Sequence, residues 1–134
     1  SAFINGQVGA DKIYVIANAS SSVRGGSEAD TIKVTAGSSA TKLYGDKGAD
    51  TISGGSAADT IDGGGGADSI TGNAGIDVMT GGDGKDKFVM ANVVASTAIA
   101  VDNIKDFTEF NTSSALINLM QLLCFKGHSL FMQG

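Results

Sequence analysis

Hydrophobic positions in the first ninety residues keep a fixed partner: an apolar side chain stands two places after an aspartate seven times over. The pairs are Asp11 with Ile13, Asp30 with Ile32, Asp50 with Ile52, Asp59 with Ile61, Asp68 with Ile70, Asp77 with Met79 and Asp86 with Phe88. Over residues 45–89 they belong to five unbroken copies of a nine-residue phrase: GDKGADTIS, GGSAADTID, GGGGADSIT, GNAGIDVMT and GGDGKDKFV. Two separated copies come earlier, GQVGADKIY from Gly6 and GGSEADTIK from Gly25. Such a period dictates architecture, because each unit can bury its apolar residue only against its neighbours.

Each Gly-rich hexapeptide leads into a short strand signal: KIYV after Asp11, TIKV after Asp30, TIS after Asp50, KFVM after Asp86. Turns therefore alternate with strands of three or four residues. Two phrases make one coil, since Asp50 to Asp68, Asp59 to Asp77 and Asp68 to Asp86 are each 18 residues apart. The fold class expected is all-β, a parallel β-roll or β-helix-like solenoid. Stacked coils sort the aspartates into two columns on opposite flanks, one of Asp11, Asp30, Asp50, Asp68 and Asp86, the other of Asp59 and Asp77. The first two spacings in the longer column are 19 and 20, one coil plus an insertion. The opposite flank is Ser-rich there, over residues 17–22 and 36–42, and short strand signals follow near Val23 and Leu43. The N-terminal coils are thus expected to bind metal on one flank and the later coils on both. The repeat stops after Met90. Residues 1–90 are read as the roll and residues 91–134 as a C-terminal cap or tail serving export or association, in which residues 91–100 fit a strand or a short helix.

Bulk composition narrows the chemistry. A chain of 134 residues fits one domain. Its net charge of −5 opposes nucleic-acid binding, which needs clustered Lys and Arg. Seven of the 14 acidic residues occupy the aspartate positions, so the negative charge is placed rather than scattered. Twenty glycines without a proline point to turns that need positive φ. Cys124 is the single cysteine and cannot form an internal disulfide, which leaves metal as the staple. No apolar run approaches the ~20 residues of a membrane span, and no signal peptide is visible. The chain opens on Ser1 and reads as a processed product or a piece of something longer.

Calcium suits the phrase. The ion takes about 6–8 oxygen ligands in tolerant geometry. A glycine turn offers successive carbonyls, and an aspartate at its end closes the cage. Adjacent parallel strands lie ~4.8 Å apart. Two stacked carboxylates at that spacing repel by roughly 3.5 kcal/mol at an effective dielectric of about 20. A thin roll buries too little area to offset several such repulsions, so it should be largely unfolded without calcium.

The pattern GGxGxDxUx, with U apolar, resembles the RTX (repeats-in-toxin) nonapeptide family over about residues 6–90. That resemblance implies a right-handed parallel β-roll with Ca2+ held between turns two repeats apart. Carried onto this chain, it pairs Asp50 with Asp68, Asp59 with Asp77, Asp68 with Asp86, Asp11 with Asp30 and Asp30 with Asp50. Turn carbonyls such as those of Gly45, Gly54 and Gly63 would complete the shells. DNIKDF followed by INL resembles the closing segment of such rolls, which adds Asp102 and Asp106 as second-tier ligands. The family also implies secretion by Gram-negative bacteria through a type I exporter, with folding outside the cell. Several places depart from the pattern: Glu28 and Ala57 replace the fourth glycine, and Gln7, Asp46 and Asn73 the second. A left-handed Ala57 would cost roughly 1–2 kcal/mol.

Other readings are weaker. Linkers do not keep an apolar residue behind every aspartate, and DxDxDG with a closing glutamate, the EF-hand signature, is missing. HExxH and GxSxG are absent, so the chain reads as non-enzymatic. His128 stands alone, Cys124 reads as a core or interface residue, and Asp62 and Asp83 as solvated or auxiliary groups. The leading expectation is a calcium-dependent module of a secreted or cell-surface bacterial protein of the surface-layer or adhesive type. Open roll ends and the apolar residues 116–123 can support self-association. The alternative is the C-terminal export and folding module of a secreted protease, lipase or toxin. Ice binding is disfavoured, because the turns carry no ladder of Thr and Asn.

Overall fold

The computed structural model describes residues 1–89 and 103–104. Within them every regular element is a strand: β1 (Phe3–Val8), β2 (Lys12–Ala17), β3 (Ser21–Ser27), β4 (Thr31–Gly37), β5 (Thr41–Lys47), β6 (Thr51–Ser53), β7 (Thr60–Gly65), β8 (Ser69–Thr71), β9 (Val78–Asp83), β10 (Lys87–Val89) and β11 (Asn103–Ile104). Odd and even strands separate into two parallel sheets. One runs β1-β3-β5-β7-β9-β11 and the other β10-β8-β6-β4-β2, so the chain crosses between the sheets at every turn. This is the parallel β-roll that the nine-residue period predicts.

The apolar residue of each phrase builds the core. Pairing places Ile13 against Ile32, Ile32 against Ile52, Ile52 against Ile70 and Ile70 against Phe88 in one sheet. In the other, Val23 meets Leu43, Leu43 meets Ile61 and Ile61 meets Met79. Residues Val23, Ile32, Leu43, Ile52, Ile61, Ile70 and Met79 are all fully buried. Each such side chain contributes about 1.5–3 kcal/mol on burial. A one-residue slip would carry them outward, so the register is firmly set.

The two long coils carry insertions, as the spacing predicts. Val15 pairs with Val34 but Ile16 pairs with Ala36, so Thr35 is left over as a bulge. The Thr35 hydroxyl donates to the carbonyl of Val15 at 3.2 Å. Val15, Ala17 and Val34 are buried, and the extra residues enlarge the core of the first two coils.

Strand lengths differ from expectation. In the odd sheet the ladder continues through the first three places of the next phrase, giving six or seven residues in β3, β5, β7 and β9. Backbone pairs such as Gly26 with Asp46 and Gly64 with Gly82 resume beyond the first glycine, which a reading by side-chain type does not reveal. β11 joins β9 through Asn103 with Val78 and Ile104 with Met79, so two residues of the segment after 90 extend the odd sheet. At the other end β1 and β2 are edge strands, with Phe3, Val8, Tyr14 and Ile16 exposed. No helix among the described residues is long and apolar enough to cross a membrane.

Candidate metal centre

Every phrase ends its turn on the aspartate, which lies immediately before an inward-facing strand. Those of the longer column precede the even strands, and Asp59 and Asp77 precede β7 and β9. The two columns therefore lie on opposite flanks. Backbone bonds lock them in line: Thr31 N–H donates to the Asp11 carbonyl at 2.7 Å, Thr51 N–H to Asp30 at 2.8 Å, Ser69 N–H to Asp50 at 2.8 Å and Lys87 N–H to Asp68 at 2.7 Å.

The carboxylates of the longer column are divided between two tasks. One oxygen is engaged: Asp30 Oδ1 accepts the N–H of Asp11 at 2.8 Å, Asp50 Oδ1 that of Asp30 at 2.7 Å, Asp68 Oδ1 that of Asp50 at 2.8 Å and Asp86 Oδ1 that of Asp68 at 3.0 Å. The other oxygen is not. Oδ2 of Asp11, Asp30, Asp50 and Asp68 is buried without a hydrogen-bond partner. Asp30, Asp50 and Asp68 are only 1–2% exposed, so water does not compensate. A buried charged oxygen without a partner costs several kcal/mol.

These oxygens face a cradle left by the first glycine of each phrase. A methyl group built on Gly25 would stand 2.9 Å from the Gly45 carbonyl and press against Asp30 Oδ2. On Gly63 it would meet the Gly81 carbonyl at 2.6 Å together with Asp68 Oδ2, and on Gly45 it would meet the Gly63 carbonyl and Asp50 Oδ2. Carboxylate from one coil and carbonyl from the next thus converge on the space the absent side chain leaves. Positive φ at the second and fourth places shapes the turn: Gly64 and Gly66, Gly82 and Gly84, Asp46 and Gly48. The substituted places obey the same geometry, with Gln7, Glu28, Asp46 and Asn73 all at φ of 70–82°.

Electrostatics follow from the crowding. Burial pushes the Asp68 carboxyl up from 3.8 to about 6; the N–H of Asp50 opposes this, and the charges of Asp50, Asp86 and Asp62 reinforce it. Asp50 is raised for the same leading reason, with Asp30 and Asp46 adding to it. Among the described residues no group of three or more His, Cys, Asp or Glu side chains gathers. The oxygen set is instead one carboxylate per coil with backbone carbonyls, all hard donors, which suits calcium and not a thiophilic metal.

The shorter column differs. Ser21 and Thr41 occupy the aspartate register in its first coils, since Ser21 pairs with Thr41 and Lys42 with Thr60. Asp59 Oδ1 accepts both the N–H and the hydroxyl of Thr41 at 2.7 Å, and its Oδ2 accepts the N–H of Gly55 at 2.6 Å. Asp77 Oδ1 accepts the N–H of Asp59 at 2.8 Å. Sequence reasoning did not find Thr41, although Leu43 two places on and its 18-residue distance from Asp59 mark residues 36–44 as a degraded phrase.

Comparison with protein families supplies the decisive match. The four-copy model of the RTX calcium-binding nonapeptide repeat fits residues 35–70 and again 62–89. Residues 35–89 are RTX calcium-binding nonapeptide repeats. The RTX match opens just ahead of Ala36, so it takes in the phrase carrying Thr41. Searches of curated proteins and of solved structures returned no match. Calcium is accordingly the cofactor, and the RTX roll is a structural calcium-binding module of a kind typical of secreted bacterial proteins, not a catalytic fold. Of the other sequence-predicted residues, Asp102, Asp106, Cys124 and His128 lie outside the described residues, as does the cap expected from the bulk of residues 91–134.

Proposed function

We propose that this RTX roll is an extracellular structural module of a bacterial cell-surface protein, of the surface-layer or adhesive type, folded by calcium. Asp11, Asp30, Asp50, Asp68 and Asp86 would hold the ions, with the carbonyls of Gly45 and Gly63 among the completing donors. The observation that carries this reading is the set of buried Oδ2 atoms on Asp11, Asp30, Asp50 and Asp68, each lacking a protein partner. A divalent ion between coils supplies the missing counter-charge and turns repulsion between stacked carboxylates into attraction. Low cytosolic calcium would keep the chain unfolded for export by a type I route, and high external calcium would fold it.

One feature favours a surface module. The N-terminal edge exposes Phe3, Val8, Tyr14 and Ile16 beside unpaired strand edges, which suits association with further protein. Circular dichroism in calcium and in chelator tests the metal-driven fold. A strand spectrum that appears only with calcium is expected, and an identical spectrum in chelator would refute it.

A further inference from the structure

One turn of the shorter flank closes on protein donors. Asp59 receives protein donors on both carboxylate oxygens: Thr41 N–H and Thr41 hydroxyl on Oδ1, and Gly55 N–H on Oδ2. Its counterparts Asp30, Asp50 and Asp68 receive a single N–H on Oδ1 and leave Oδ2 bare. The turn itself is folded differently. Neither Gly55 nor Ala57 takes positive φ, whereas the second and fourth places of the other six aspartate-bearing phrases do.

The neighbouring carbonyls are also engaged. Asn73 Nδ2 donates to the Gly54 carbonyl at 2.8 Å and to Ser53 Oγ at 2.9 Å. Ser56 Oγ donates to the Gly37 carbonyl at 3.0 Å. The insertion in the second coil helps to set this path: a methyl group on Gly55 would lie 2.9 Å from Cγ1 of buried Val34.

The geometry points to Asp59 as a calcium-independent latch: its carboxylate, held by Thr41 and Gly55, replaces a metal site at the turn of residues 54–59. The roll is then closed by ions along one flank and by side-chain hydrogen bonds along part of the other. This rests on the calcium reading of the longer column, against which the latch is defined. Three neutral donors satisfy the buried carboxylate's lone pairs, and a bound cation would have to displace the Gly55 N–H, at the cost of an unsatisfied donor.

Counting bound calcium by native mass spectrometry at saturation decides the matter. Asp59→Asn is expected to bind as many ions as the unaltered chain, while Asp50→Asn binds fewer. Loss of an ion in Asp59→Asn equal to that in Asp50→Asn would overturn the latch. Thr41→Val provides a second reading should Asp59→Asn fail to fold. It should keep the ion count and lower the thermal midpoint in saturating calcium by roughly 4 °C or more; an unchanged midpoint would also overturn the latch. If the unaltered chain bound no calcium, the calcium reading of the longer column would fail, and the Thr41→Val midpoint would still judge the latch.

Discussion

The backbone N–H of Asp50 donates to Asp68 Oδ1 at 2.8 Å, one coil onward, while Asp68 Oδ2 is buried with no hydrogen-bond partner. A single carboxylate thus aligns one coil with one oxygen and leaves the other buried without a donor, the oxygen proposed to meet calcium. Asp68→Asn separates these tasks, because the amide oxygen can still accept the Asp50 N–H while the charge is gone. The variant should fold at high calcium, with its calcium midpoint raised about tenfold, equivalent to ~1.4 kcal/mol. Calorimetric titration measures this. A midpoint equal to that of the unaltered chain would remove Asp68 from the ligand set.

Glycines of one phrase should differ sharply in tolerance. A methyl group on Gly63 meets the Gly81 carbonyl at 2.6 Å as well as Asp68 Oδ2. On Gly65 the nearest atom is the Asp46 carbonyl oxygen, 3.9 Å away. Gly63→Ala should therefore cost about 1–3 kcal/mol through overpacking and weaken calcium binding as well. Gly65→Ala should stay within about 0.5 kcal/mol. Thermal unfolding of both in saturating calcium makes the comparison, and equal midpoints would show that the cradle is not closely shaped.

The core ladder predicts a similar contrast. Ile61 is fully buried between Leu43 and Met79, and Ile76 is 57% exposed in a turn. Ile61→Ala should cost about 2–5 kcal/mol and Ile76→Ala no more than about 0.5 kcal/mol. Denaturant unfolding with calcium present would expose a wrong register if the two losses were alike.

How far the sequence revealed this depends on what each residue shows of itself. Ile52, Ile61 and Ile70 recur beside their aspartates, and that alone marks strands, sheet faces and columns. Ser21 and Thr41 were invisible because hydroxyls had taken the carboxylate places, leaving Val23 and Leu43 as the surviving signs of two degraded phrases. Ala57 looked strained in the family frame, yet it avoids positive φ because the whole turn follows another path. That turn packs over Val34, twenty-odd residues earlier in the chain, and no local pattern announces such a contact. The opposite holds at Gln7 and Glu28, which accept φ of 79° and 82°. There the turn geometry prevails over residue preference at a cost of roughly 1–2 kcal/mol each.

Acid should partly substitute for calcium. In the folded chain the Asp68 carboxyl keeps its proton up to about pH 6, against 3.8 ordinarily, chiefly because burial disfavours its charge. Asp50 shifts in the same direction. Between these two values the folded state binds more protons than the unfolded state, so stability without metal falls as pH rises from about 4 to about 6. Below that window both states are protonated at these groups, and above it the folded state carries buried charge. In chelator the strand signal in circular dichroism should therefore be stronger at pH 4.5 than at pH 7. With calcium the order should reverse, since protons compete with the ion for the same oxygens. A metal-free chain more structured at pH 7 than at pH 4.5 would show that its buried carboxylates are not what opposes folding.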